Sequence, residues 1–173
     1  MINQFIMRLY IKLADFRITL LALVVTLPIM YVMLNMVDSE MVNSLHFAFT
    51  KASAEHVIEQ WRIERFMLFK KFFWLDFIFP AGYGIIFSSL IARLSLRRVS
   101  RNNIYQTLFL IPLAATIFDY AENMGLIITL NNLNNLIESV VFITSVLSSF
   151  KMILFILSLL IILWLVLLKV LRR

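Results

Sequence analysis

Four apolar runs punctuate the chain, at about 18–37, 72–92, 104–130 and 139–168. Each is long enough to cross a bilayer as a helix, which takes about 20 residues. Polar groups bracket them: Arg17 and Asp38, Lys71 and Arg93, Asn103 and the Asn-rich stretch 131–135, and finally Lys169. The third and fourth runs exceed a perpendicular span, so they must tilt or protrude. Ahead of the first run, Ile2, Phe5, Ile6, Leu9, Leu13 and Phe16 share one helical face, with Gln4, Arg8, Lys12 and Asp15 away from it. Such a cationic amphipathic helix is expected to lie flat on the inner leaflet. The apolar run that follows is too long for a signal peptide and has no small-x-small cleavage site, so an uncleaved start is expected.

The longest polar stretch, 38–71, predicts a second amphipathic helix. Ser53 is its expected N-cap, with Glu55 in the first turn. Val57, Ile58, Trp61, Arg65 and Leu68 then form one stripe, giving an outer-surface helix over 53–70 that runs on towards the second span. The predicted fold is all-α: an integral membrane four-helix bundle, one transmembrane domain over 1–173, with an amphipathic N-terminal helix and an outer amphipathic helix between spans one and two.

Composition supports lipid as the solvent. The chain is 62% hydrophobic and 15% charged, with a mean hydropathy of +0.92, against about 45–50% apolar and about 25% charged in soluble domains. It has no Cys, which excludes disulfides, thiol catalysis and Cys-ligated metal centres. It carries no P-loop, dinucleotide fingerprint, GxSxG elbow or histidine box, and no cofactor is expected. The net charge of +6 sits in membrane flanks, which argues for topology and against nucleic-acid binding. The N-terminal segment, the 93–103 loop and the tail together hold ten cations against Asp15, or +9. The opposite side holds six cations against nine carboxylates, or −3. The positive-inside rule therefore puts both termini in the cytoplasm, although Lys70 and Lys71 on the outer side run against it.

The short loop between spans two and three makes them an antiparallel hairpin in which residues of equal depth sum to about 196. Asp76 then falls level with Asp119 and Tyr120, with Glu122 a turn farther out. Asp119, Glu122 and Asn123 share a face, with Thr116 a turn below; Asp76, Pro80 and Tyr83 share another. Counting from the inner ends brings Lys151 of the fourth span to the same depth, about 25 Å from the inner side. The expected site is thus a polar layer in the outer third of the bundle: Asp76, Asp119, Glu122, Asn123 and Lys151, with Tyr83 and Thr116 beneath.

Ionisable groups in spans are costly and often functional. At this depth, however, Asp76 and Asp119 can reach water, Lys151 can snorkel and Glu122 can be wholly wet, so the alternative reading is a layer that is merely structural or solvated. Packed like charges cannot all stay ionised, so Lys151, a proton or a cationic ligand must neutralise them. An outer cavity with excess negative charge and an aromatic rim (Phe72, Phe73, Trp74, Tyr83, Phe118, Tyr120) would suit an amine-bearing amphiphile, a proton or sodium. Pro28, Pro80 and Pro112 predict irregular or kinked spans. Gly84, Ser88 and Ala92, and Ala121 with Gly125, permit close helix contacts within or between chains. His46 and His56, both in the outer region, fall short of a metal signature, and no metal site is expected.

Four spans, cytoplasmic termini, a long first outer loop, and Asp76, Asp119 and Glu122 in the upper part resemble the layout of the EXPERA group (sterol isomerases and the sigma-2 receptor). That resemblance implies binding of cationic amphiphiles between helices and carries over no residue role. The leading expectation is a non-enzymatic membrane protein that binds a hydrophobic or cationic ligand, membrane lipid, or a membrane-protein or homo-oligomeric partner. The alternatives are a proton- or cation-coupled transporter subunit and a lipid-modifying enzyme using Asp119 or Glu122 as acid or base.

Overall fold

The computed structural model describes residues 2–36, 39–60, 73–96 and 103–171. These are almost wholly helical, and no strand occurs among them. In chain order the helices are α1 (Ile2–Leu13), α2 (Phe16–Met36), α3 (Ser39–His46), α4 (Lys51–Glu59), α5 (Phe79–Ser95), α6 (Leu110–Asn131) and α7 (Glu138–Val170), with a 3₁₀ turn at Asn103–Gln106. Three helices are long and apolar enough to cross a membrane: Phe16–Met36, Phe73–Ser95 and Glu138–Val170. The expected third span, α6, is not one of the three, because Asp119, Tyr120, Glu122 and Asn123 interrupt its apolar sequence.

Prolines set where two helices begin. Pro80 lies in the first turn of α5 and Pro112 in the first turn of α6, where a missing N–H breaks no bond within the helix that it starts. The expected kink at Pro112 is therefore a helix start. The segment Phe73–Ser95 is interrupted by a turn at residues 77–78, just before α5. Pro28 alone sits inside a helix, α2.

The hairpin register follows the expectation closely. Ser88 meets Phe109, Pro80 meets Thr116, Phe77 meets Tyr120, Asp76 meets Asn123 and Tyr83 meets Asp119, pairs whose numbers sum to 196–202. Each of the three glycines admits a threonine at a helix crossing. A methyl group at Gly82 would strike the Thr26 hydroxyl, one at Gly84 that of Thr116, and one at Gly125 that of Thr144. These contacts join α2 to α5, α5 to α6 and α6 to α7. In lipid, apolar side chains gain little by leaving their solvent, so close approach at small residues supplies much of the packing. The small-residue motifs are thus used within the chain.

Two apolar clusters cap the bundle. At one end Tyr10 and Leu13 of α1 pack with Ile91, Ala92, Phe109, Ile161 and Leu165. The Tyr10 hydroxyl lies 2.9 Å from Ser95 Oγ, and its ring tilts against Phe109. This revises the picture of α1 as a helix resting on lipid alone: much of its apolar face is spent on the protein, and Phe5 and Phe16 stay exposed at the edges. At the other end Leu45, Ala48 and Ala54 of the α3–α4 segment pack with Phe73, Leu126, Leu136 and Val141.

That second segment departs from expectation. Thr50, not Ser53, caps α4: its backbone is extended and its Oγ1 accepts the Ser53 N–H at 3.2 Å. Phe49 before it has a left-handed φ of 49°, and this reversal folds α3 and α4 over the bundle end as a lid. Helix α4 ends at Glu59, and the rest of the expected helix, with Trp61, Arg65 and Leu68, lies outside the described residues.

Gly125→Ala is expected to lower stability by about 1–3 kcal/mol through overpacking. Adding Thr144→Ala should restore most of it, because the two changes share one contact. Heat-induced unfolding in detergent checks this; additive losses would mean the two residues do not constrain each other.

Candidate functional site

Between the two apolar clusters lies a polar layer built by α3, the turn before α5, α6 and α7. Glu122 is its hub and is completely buried. Its Oε1 accepts the Ser148 hydroxyl at 2.7 Å and pairs with His46 Nδ1. Its Oε2 lies 2.5 Å from Lys151 Nζ. The same ammonium stands 3.4 Å from Asp119 Oδ1, while Tyr83 O–H donates to Asp119 Oδ2 at 2.9 Å. A continuous chain of contacts thus runs His46–Glu122–Lys151–Asp119–Tyr83.

Asp76 joins through the backbone. Pro80 has no N–H to give the carbonyl four residues earlier, so the Asp76 carbonyl has no helical partner. Asn123 Nδ2 donates to it at 3.2 Å. The next carbonyl, of Phe77, accepts the Tyr120 hydroxyl at 2.9 Å. Thr116 Oγ1 contacts the carbonyls of Pro80 (3.0 Å) and Pro112 (3.1 Å), so it ties helices together and does not touch the carboxylates.

The expected residues therefore converge, with two corrections. Glu122 is not a wet outer carboxylate but the most enclosed group of the layer. Asp76 and Asp119 are likewise buried, at 8% and 4% exposure. The cause is the lid, which depth along a helix cannot reveal. Lys151 turns inward to the carboxylates instead of snorkelling, and its side chain is only 20% exposed.

The aromatic rim is also dispersed. Tyr83, Phe87 and Phe155 form a wedge on the α1 side of the layer, with centroids 5.2–6.1 Å apart. Phe118 stacks on Phe150. Phe73, Trp74 and Phe77 line an apolar groove of about 370 Å³ with Ile127 and Leu130. Phe72 lies outside the described residues. A second apolar groove, about 250 Å³, runs between α2 and α5. Both grooves flank the layer and present hydrocarbon.

Two participants escaped the sequence reading. Ser148 precedes Lys151 by three residues, a spacing that puts both on one face of α7 and could have been read. His46 could not, because it meets Glu122 only through the tertiary packing of α3 against the other helices. The chain reversal at Phe49 is fastened by the Phe49 N–H, which donates to Ser145 Oγ at 3.0 Å. His56 stays apart, 2.9 Å from Gln60 Nε2 on the exposed side of α4. Among the described residues no three His, Asp or Glu side chains gather to chelate a metal.

Three acidic side chains, Asp76, Asp119 and Glu122, share the layer with one lysine and one histidine. Among the described residues no cation lies within ion-pair distance of Asp76. The Oδ1 of Asn123, a fully buried residue, has no hydrogen-bond partner among them either. Comparison of the chain with protein-family models, curated proteins and solved structures finds no match.

Lys151→Met strands Glu122 and Asp119 and should cost about 3–5 kcal/mol. Lys151→Arg keeps the charge and should recover part of that loss. Thermal unfolding of the three proteins checks this, and an unchanged midpoint for Lys151→Met would mean the carboxylates are hydrated.

Proposed function

We propose that this chain is a four-span integral membrane protein, both termini cytoplasmic, that binds a cation in the polar layer beneath its outer lid, either free or carried by a hydrophobic ligand. The observation that carries the reading is the charge count: three buried carboxylates against Lys151 and His46. A buried charge without a partner is strongly unfavourable, and a bound cation supplies that partner.

Helix α6 serves as the fourth span in this reading. Its 22 residues extend about 33 Å at the helical rise, enough for the hydrocarbon core. Its carboxylates turn into the protein, so its mean hydropathy understates what lipid meets. The lid end is then the outer end, and the cations around α1, the 93–103 loop and the tail lie in the cytoplasm, as the positive-inside rule prefers.

Coupling to proton or cation movement is the second reading. The unbroken chain from His46 to Tyr83 favours it, since a proton can pass between groups already in contact. Uptake into liposomes driven by a pH or sodium gradient separates the two readings.

Native mass spectrometry of the gently extracted protein tests binding. A retained small molecule or ion, lost in Asp119→Asn, is the expected result; wild type and variant of identical mass composition would remove the binding reading. The absence of native Cys makes topology simple to map. A cysteine at Asn132 should react with an impermeant reagent from outside, and one at Asn102 should not; the reverse pattern inverts the proposed orientation.

A further inference from the structure

We propose that the cation is a sodium ion, bound at the helix break before α5 by Asp76 and Asn123; this rests on the cation-binding reading above and names its ligand.

Three observations converge on that turn. The first is charge. Glu122 is met by Lys151, His46 and the Ser148 hydroxyl, and Asp119 by Lys151 and the Tyr83 hydroxyl. Asp76 is buried with no cation within ion-pair distance among the described residues, and its carboxyl lies beside the Asn123 amide. One monovalent ion at Asp76 supplies the counter-charge that its carboxyl lacks within ion-pair distance, and leaves the contacts of Lys151 and His46 with Glu122 in place.

The second is donor chemistry. Asn123 is wholly buried, its Nδ2 holds the Asp76 carbonyl, and its Oδ1 is unpartnered among the described residues. A carboxylate and an amide oxygen are hard donors, suited to hard cations and poorly suited to the softer transition metals. His46, the nitrogen donor of the layer, is committed to Glu122.

The third is the backbone. Interrupted membrane helices recur where transporters hold sodium, because the break brings polar backbone and acidic side chains together inside the protein. Here Asn123 and Tyr120 tie down the two carbonyls left open above α5, so the turn is held in one shape before any ion arrives. Enclosure favours a bare ion over an organic amine. The lid cluster closes one side and the Tyr83–Phe87–Phe155 wedge the other, and the flanking grooves open onto hydrocarbon. A dehydrated sodium ion needs little more room than one buried water.

The test is thermal unfolding of the full-length protein in detergent, with sodium chloride exchanged for choline chloride at constant ionic strength. A ligand that binds only the folded state raises the midpoint saturably. Sodium should therefore raise it by several degrees over choline, and the isosteric Asp76→Asn should abolish the rise. Equilibrium dialysis with radiolabelled sodium on the wild type keeps the proposal testable if the variant fails to fold: one ion per chain is expected, and none overturns the proposal. A sodium effect that persists in folded Asp76→Asn also overturns it, since the ion is then elsewhere. If sodium does nothing while native mass spectrometry finds an organic cation lost in Asp119→Asn, the sodium inference fails and the binding reading stands. If neither sodium nor an organic cation binds, both fall.

Discussion

An ionised carboxylate buried in a bundle of apolar helices must be met by opposite charge and hydrogen-bond donors, because neither lipid nor a packed core can solvate it. Glu122 is that carboxylate, and the arrangement around it follows from the need. Helix α7 brings Lys151 and Ser148 to its two oxygens. The C-terminal end of α3 brings His46. The pairing is an architectural device as much as a chemical one: it fastens the lid to the bundle and sets the depth at which α6 and α7 meet.

The backbone obeys the same rule. A proline deprives the carbonyl four residues before it of a partner, and in a low-dielectric setting that carbonyl has to find another. Asn123 and Tyr120 answer the two carbonyls opened above α5. The side chains of one helix thus repair the break in its neighbour, and the repair brings Asp76 to the other carboxylates. Around this centre the helices approach through glycine–threonine crossings and ring contacts, which supply close packing where hydrophobic driving force is weak.

The outcome is a layer enclosed on both sides, by apolar lid residues at one end and an aromatic wedge towards the other. Enclosure changes what the carboxylates can do. Near an open interface they would be ordinary solvated groups, whereas inside the protein each needs hydrogen bonds, a counter-charge or a proton. The α1 end has a different character: Tyr10 and Leu13 complete an apolar core there.

Much of this was legible in the residues themselves. Uncharged length marked three of the four expected spans, and the short connection between the runs 72–92 and 104–130 predicted their register, so that Asp76, Asp119 and Asn123 could be matched in depth before any contact was seen. Residue counts along α7 brought Lys151 to the same level. These are consequences of the helical rise, which depends on nothing distant. The enclosure of the layer, the central place of Glu122 and the arrival of His46 were decided by the tertiary structure alone. They depend on how the α3–α4 segment, reversed at Phe49, packs against Leu126, Leu136 and Val141, and on the side chains that α7 brings to Glu122. Depth along a helix says how far a residue lies from the helix end; it carries no information about which other segment comes down on top of it.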